Sequence, residues 1–192
     1  MMARWPQTLA WLALAALAPA ALRAQAGVAV KQMALARVKL AEQIAADPEL
    51  RKAVLAKNAE RESRQTIEAR DHEWMRNPNA PLRKALTGSP CAARLRERIA
   101  ADTLVVEAIL MDAQGANVCV SRETSDYWQG DEDKWQKPFV EGRAAFVDEP
   151  AFDASSATYA VQLSVPVLDG AKRVGALTLT LKVKKEATAP AK

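Results

Sequence analysis

The feature that most constrains the fold is a pair of alternating segments near the C-terminal end. Residues 158–168, TYAVQLSVPVL, alternate apolar side chains with polar ones at every second position. Residues 173–183, RVGALTLTLKV, repeat the alternation with leucine against threonine. Asp169 and Gly170 between them are a signal for a tight hairpin turn. The sequence therefore predicts a long β-hairpin that buries one face in the core.

Three further strands are predicted before this hairpin. Residues 103–112, TLVVEAILMD, and residues 116–121, ANVCVS, flank a tight turn over 112–115. Residues 143–150, RAAFVDEP, are the third candidate. Together with the hairpin, these segments predict a five-stranded, mainly antiparallel sheet.

The N-terminal half has the periodicity and composition of helices. Asp47 followed by Pro48 predicts that one helix ends near Ala46 and that a second begins at Pro48, with an apolar stripe that continues to Trp74. Two shorter helices are predicted around 82–86 and 91–101. Long helices followed by strands indicate an α+β fold.

The first 26 residues are typical of a secretory signal peptide. Arg4 precedes an uncharged run rich in alanine and leucine, and residues 24–26, AQA, match a cleavage site. An uncleaved N-terminal anchor is the alternative, because the run approaches the length that spans a bilayer. We therefore expect a periplasmic protein. Its predicted parts are a signal peptide (1–26), an N-terminal helical region (27–102), a sheet-bearing domain (103–184) and a disordered tail (185–192).

The two cysteines, Cys91 and Cys119, agree with export. An even number of cysteines in an oxidising compartment favours one disulfide bond. Two free thiols are the second possibility. Metal ligation is the third, since His72 is the only histidine and lies far from Cys119 in sequence. We expect neither a metal ion nor a cofactor.

The charge distribution argues against a nucleic-acid partner. Removal of Arg4 and Arg23 with the signal peptide lowers the formal net charge from +4 to +2. The remaining Lys and Arg residues are scattered among Asp and Glu, whereas a nucleic-acid surface needs a basic stripe.

The densest group of functional side chains lies at 124–135, TSDYWQGDEDKW. One interpretation is structural: the carboxylates around Asp131 form the acidic first turn of a helix that follows Gly130. Trp135 and Phe139, four residues apart, would then be core contacts of that helix.

The second interpretation of the same stretch is a ligand site. Tyr127 and Trp128 would be the pocket walls, and Asp126 or Asp131 would be polar anchors. A calcium loop is a weaker alternative, because the spacing departs from that of an EF-hand.

A second candidate stretch is FDASSATY, residues 152–159. Asp153 and Ser155 can form a polar turn that caps backbone amides. Alternatively, Asp153 and Tyr159 face the same pocket as the acidic stretch. Gln162, on the polar face of the following strand, either lines that pocket or meets solvent.

The residues do not support catalysis. The sequence contains no G-x-S-x-G motif, and its single histidine has no local serine and aspartate partners. Asp131 and Asp133 are two residues apart, which places them on different faces of a helix and argues against a joint acid–base role. We expect no enzymatic activity.

Residues 105–135 and 148–169, with RVGALTLTL at 173–181, resemble the free-standing periplasmic sensor domains of the single-Cache, PAS-like group. Residues 47–58, followed by Asp71 and Trp74, extend this resemblance through the helical half. The resemblance implies long N-terminal helices packed on a PAS-like sheet, with a small-molecule pocket between the sheet and the crossover segment. It also implies that 103–184 is a sensor domain.

The ligand class follows from a departure from this group. Amino-acid-binding Cache domains carry an arginine near the tyrosine and tryptophan, whereas this sequence has none between Arg122 and Arg143. An amine, a cationic solute or a neutral ligand is therefore favoured over a carboxylate.

These observations favour a periplasmic small-molecule sensor module with no output domain of its own. Such a module would signal through a partner, which we expect to be a membrane receptor or a second copy of the chain. The alternative is a periplasmic structural or assembly factor that uses its N-terminal helices for protein–protein interaction.

Overall fold

The computed structural model describes residues 27–153 and 158–183. In this range a helical layer covers one face of an antiparallel sheet, and the segment that follows the second strand crosses the other face. The predicted signal peptide (1–26) and tail (185–192) lie outside the described residues. No helix of the described range is long and apolar enough to cross a membrane.

The helices are short, and capping side chains and prolines mark their ends. In chain order they are α1 (27–35), α2 (Val38–Ala45), α3 (Pro48–Ala59), α4 (Arg64–Arg76), α5 (Pro81–Gly88) and α6 (Pro90–Ile99). The helical layer consists of α1, α2, α3 and α6, whereas α4 and α5 pack on the other face of the sheet. The predicted start at Pro48 is confirmed, because the Asp47 carboxylate accepts the Glu49 N–H at 3.1 Å. The predicted continuation of this helix to Trp74 is wrong. Arg61 adopts a positive φ of 49°, and Ser63 then caps a new helix.

Asp47 also joins α3 to α6. Its buried carboxylate accepts a hydrogen bond from the Arg94 guanidinium at 2.9 Å. Burial alone would raise the pKa of Asp47, but the hydrogen bonds from Arg94 and from the Glu49 N–H outweigh burial and lower it. The same residue therefore begins one helix and fixes its position against another.

The sheet confirms the predicted α+β class. Its strands are β1 (Val105–Met111), β2 (Asn117–Val120), β3 (Phe146–Val147), β4 (Ala151–Asp153), β5 (Thr158–Asp169) and β6 (Lys172–Lys182). All pairs are antiparallel, and the order is β2-β1-β6-β5-β3, with β4 also paired to β5. The sheet has six strands rather than five because the predicted strand at 143–150 is replaced by two short strands along one edge of β5.

The sheet separates two apolar cores. Alternate residues of the β5–β6 hairpin, such as Leu163 and Leu179, pack against the helical layer as the alternation predicts. On the opposite face, Ile109 and Met111 pack with Trp74 of α4 and with the crossover segment. Both faces of the sheet are therefore covered.

The predicted disulfide is present. Cys91, in the first turn of α6, is bonded to the fully buried Cys119 of β2. Their Cα atoms are 5.9 Å apart and 28 residues separate them in sequence. The bond joins the helical layer to the edge of the sheet.

Candidate ligand site under the crossover segment

The crossover segment is residues 121–145, between β2 and β3. Its first half is tied to the β1–β2 turn by backbone hydrogen bonds: the Asn117 N–H donates to the Tyr127 carbonyl at 3.0 Å, and the Gln129 N–H donates to the Gly115 carbonyl at 2.8 Å. Its second half contains the short helix α7 (Asp133–Trp135) and a π-helical turn (Gln136–Val140). The segment is therefore an ordered wall over the sheet.

Two glycines allow the crossover segment to approach the β1–β2 turn closely. Gly115 has a φ of +79°, and a Cβ there would collide with the Gly130 backbone. A Cβ at Gly130 would in turn collide with the Trp128 indole. The predicted turn before the helix is confirmed, and Trp135 stacks on Phe139 with ring centroids 4.9 Å apart.

Helix α4 anchors the aromatic half of the segment. One oxygen of the Asp71 carboxylate accepts the Tyr127 N–H at 2.8 Å and the Trp128 N–H at 2.9 Å. The buried Trp74 indole donates to the Thr124 carbonyl at 2.9 Å. Asp71 and Trp74 share one face of α4, as their spacing predicts, and that face holds the crossover segment.

The Tyr127 side chain is fully buried in a cluster of charged groups. Its hydroxyl lies 3.3 Å from the Glu62 carboxylate, which also pairs with Lys57 at 2.8 Å and with Arg70. Burial raises the pKa of the Tyr127 hydroxyl. For Glu62, burial acts in the same direction, but the hydrogen bond from Lys57 and the nearby Arg70 charge lower the pKa overall.

The Trp128 ring is partly exposed, and a cationic side chain of the protein itself lies against it. The Arg64 guanidinium carbon lies 3.5 Å from the ring centroid, which is cation–π geometry. The indole N–H donates to the Gln114 carbonyl at 2.8 Å. The ring face that would attract a cationic ligand is thus covered by α4.

A polar cavity of about 210 Å³ lies between the crossover segment, the β3–β4 edge and β5. This is the location that the resemblance implies for a ligand pocket. The residues that line the cavity are Ser125, Glu132, Lys134, Asp148, Glu149, Ala151, Phe152, Ala160 and Gln162. Neither Tyr127 nor Trp128 is among them.

An ion pair between a buried lysine and a partly exposed glutamate forms the crossover side of this cavity. The Lys134 ammonium lies 3.0 Å from the Glu132 carboxylate, and only 6% of the Lys134 side chain is exposed. Burial raises the pKa of Glu132, and the charges of Asp126 and Asp131 act in the same direction against the opposing effect of Lys134. The predicted anchors Asp126 and Asp131 do not line the cavity themselves.

Asp126 is held by neighbours in its own segment. Its carboxylate accepts from the Gln129 amide at 2.7 Å and from the Ser125 hydroxyl at 2.8 Å. The Asn117 amide donates to the Asp126 carbonyl at 3.0 Å. The side-chain oxygens of Asn117 and Gln129 are buried without a hydrogen-bond partner, so this part of the segment holds unused acceptors. Asp131 is exposed to solvent.

Only the first residue of the second candidate stretch is described as lining the cavity. Phe152 of β4 lines the cavity with 61% of its surface exposed, and its ring makes an edge contact with Tyr159 at 5.8 Å. Residues 154–157 and the Asp153 side chain lie outside the described part. Phe152 begins this candidate stretch, but only Asp153 and Tyr159 of the stretch were predicted to face the pocket.

The cavity floor continues into a buried polar row across the sheet. Gln162 pairs with Thr180, whose hydroxyl donates to the Glu107 carboxylate at 3.0 Å. In the next row, the Ser164 and Thr178 hydroxyls share a hydrogen bond of 2.9 Å. The polar positions of the hairpin thus face the covered side of the sheet and not solvent. Within 27–153 and 158–183, no group of three potential metal ligands comes together.

The sequence matches no family model, and a search of curated proteins finds no match. Among solved structures, the sensor domain of the V. cholerae histidine kinase DctB has 12% identity and a TM-score of 0.46, over 90% of this chain and 57% of that one. The ligand-binding domain of the Pseudomonas fluorescens chemoreceptor CtaA, in complex with L-alanine, has 13% identity and a TM-score of 0.46, over 85% and 59%.

A third similar structure is the ligand-binding domain of the Campylobacter jejuni chemoreceptor Tlp3, in complex with 4-methylisoleucine. It has 12% identity and a TM-score of 0.40, over 78% of this chain and 60% of that one. This chain therefore spans less than two thirds of each of the three. All three are sensor or ligand-binding domains.

Proposed function

We propose that this chain is a periplasmic, non-enzymatic sensor module that binds a small molecule in the cavity under the crossover segment. The observation that carries the proposal is the cavity itself, which has polar walls from three separate parts of the chain. Its volume of about 210 Å³ is below the range of pockets for drug-sized ligands, so it suits a small solute.

The charges at the cavity favour a cationic or neutral ligand. Three carboxylates, those of Glu132, Asp148 and Glu149, line it. The one ammonium group on its wall, that of Lys134, is already paired with Glu132. An amine entering the cavity gains carboxylate partners, whereas a carboxylate would be repelled unless it displaced Glu132 from Lys134.

A signal would reach a partner through the helices. The wall that holds Glu132 belongs to the same segment that Asp71 and Glu62 fasten to α3 and α4. A ligand that shifts this wall would therefore act on the helical layer. The partner in this proposal is a membrane receptor or a second copy of the chain.

The first test is a thermal-shift screen of the purified protein against amines, organic acids, nucleobases and divalent ions. We expect an amine to raise the melting temperature, and Glu132→Gln to weaken its binding about tenfold, equivalent to about 1.4 kcal/mol. Glu141→Gln is the control, since Glu141 lies on the same segment and pairs with Lys137 outside the cavity. No stabilisation by any compound would contradict the proposal.

A Trp128→Ala variant separates the two possible placements of the ligand. If the ligand occupies the cavity, its affinity is unchanged apart from the stability lost with the Arg64 contact. If the aromatic residues Tyr127 and Trp128 form the pocket, the ligand affinity of Trp128→Ala falls. The ligand affinity of Glu132→Gln then stays unchanged.

The same cavity predicts a pH dependence of amine binding. The folded-state pKa of Glu132 is raised above its ordinary value of 4.5, so the carboxylate loses its charge at a higher pH than an exposed one. Amine affinity should therefore fall as the pH is lowered from about 7 towards 4.5. Calorimetric titration of the protein with the amine over this pH range measures the change in affinity. Glu132→Gln should flatten the profile, and an unchanged slope in that variant would contradict the assignment.

One observation favours the alternative, an assembly factor. An open groove of about 610 Å³ lies between α3 and α6, and half of the residues that line it are small and apolar, including Ala53, Ala56 and Ala93. Sedimentation at increasing protein concentration tests this candidate. Self-association without any ligand response would favour it over the sensor.

A further inference from the structure

A second, larger groove lies at the turn end of the β5–β6 hairpin. Its volume is about 660 Å³, and it is bounded by the end of α2, the start of α3, the end of the crossover segment and the hairpin. The cavity under the crossover segment shares no lining residue with it. The two sites are therefore separate.

Apolar side chains form most of this hairpin groove. They are Ala45, Ala46, Ala144, Pro166 and Leu168. Leu168 is 43% exposed, so part of this apolar surface meets solvent in the described chain. A concave apolar surface with a few convergent polar groups is the usual form of a small-molecule site.

The convergent polar groups are two guanidinium groups. Arg173 lies against Gly142, whose φ of +74° and lack of a Cβ leave room for it. Within the described residues the Arg173 guanidinium makes no hydrogen bond and no ion pair. An unpaired guanidinium presents up to five N–H donors to whatever enters the groove.

Arg51, the second of these groups, is only loosely engaged. Its closest carboxylate is that of Asp169, at 3.9 Å, at the limit of an ion pair. Glu42 is the one carboxylate that lines the groove, so the two arginines leave it with a positive charge. This polarity is opposite to that of the cavity beside Glu132.

We propose that the hairpin groove binds an amphipathic organic anion, a carboxylate with a short aliphatic tail. The planar guanidinium of Arg173 matches a carboxylate in bidentate geometry, and Arg51 adds a second positive charge. The alanine, proline and leucine surface accepts the tail, and burial of each CH₂ group strengthens binding. The site is independent of the amine site proposed above.

The test is isothermal titration calorimetry of the full chain with hexanoate, acetate and hexylamine. We expect saturable binding of hexanoate and at least tenfold weaker binding of acetate. Any heat from hexylamine should come from the amine site and should be unchanged in Arg173→Ala. Arg173→Ala should weaken hexanoate binding at least tenfold. Arg173→Lys keeps the charge but loses the bidentate guanidinium, so its affinity for hexanoate should lie between those of the original protein and of Arg173→Ala. The exposure of Arg173 means that neither variant should disturb folding, which circular dichroism checks.

Two matched variants complete the design. Arg143→Ala removes an arginine that already pairs with Glu141, and it should leave hexanoate binding unchanged. Glu132→Gln should also leave it unchanged, so a failure here is distinguishable from a failure of the amine site. Absence of saturable hexanoate binding, or undiminished binding by Arg173→Ala, overturns the inference.

Discussion

Breaking the Cys91–Cys119 bond should lower the free energy of unfolding by about 3.5 kcal/mol. The bond closes a loop with a sequence separation of 28 residues, and a loop of this length restricts the unfolded chain strongly. It also holds α6 against β2, which is an edge strand of the sheet within the described residues. Urea unfolding of the oxidised and the reduced protein measures the difference by linear extrapolation.

The reduced protein is a cleaner comparison than a substitution. Cys119 is fully buried, so Cys119→Ala removes the bond and also leaves a small cavity, which adds its own cost. Cys91→Ala is the matched variant at the partly exposed end. Reduction should add two hydrogens to the mass. A stability loss below about 1 kcal/mol would show that the unfolded chain is constrained in some other way.

The sheet was largely predictable because its signals are local. The two-residue alternation of β5 and β6 and the turn at Gly170 specify which side chains face the helices, and Leu163 and Leu179 lie there as expected. The disulfide was predictable from two cysteines and a predicted signal peptide. The number of strands was not, since Phe146 to Asp153 follows one edge of β5 in two short pieces.

The polar face of the hairpin shows a limit of pattern reasoning. Alternation predicts that Thr178 and Thr180 lie on one face, but it does not say whether that face meets solvent. In the fold, the crossover segment covers it, and both threonines are fully buried and hydrogen-bonded. Whether a segment distant in sequence covers a face of the sheet depends on the tertiary structure. The local alternation of polar and apolar residues does not encode it.

The same limit applies to the candidate site. Tyr127 and Trp128 carry the groups that suit a ligand, yet residues more than fifty positions away in sequence already engage them. Glu62 lies beside the Tyr127 hydroxyl, and Arg64 covers the Trp128 ring. Glu132, in the same stretch, lines the cavity instead. The role of Tyr127 and Trp128 as ligand-binding residues stays a prediction, which the Trp128→Ala experiment tests.

Replacing Asp71 with alanine should lower the free energy of unfolding by about 3 kcal/mol. A single carboxylate oxygen accepts two backbone N–H groups, those of Tyr127 and Trp128, and hydrogen bonds to a charged acceptor are the stronger kind. Alanine would leave both N–H groups without this partner beneath α4. Chemical denaturation measures the change, and hydrogen exchange at the two amides should report their loss of protection.

Asp71→Asn and Glu73→Ala make the result specific. Asparagine keeps an acceptor oxygen but not the charge, so its cost should be about half that of alanine. Glu73 is an exposed carboxylate on the same helix, and its removal changes the charge equally while costing less than about 0.5 kcal/mol. Because Asp71 fixes the segment that carries Glu132, amine affinity should fall in Asp71→Ala and stay unchanged in Glu73→Ala. Equal costs for Asp71→Ala and Glu73→Ala would mean that the two hydrogen bonds do not anchor the crossover segment.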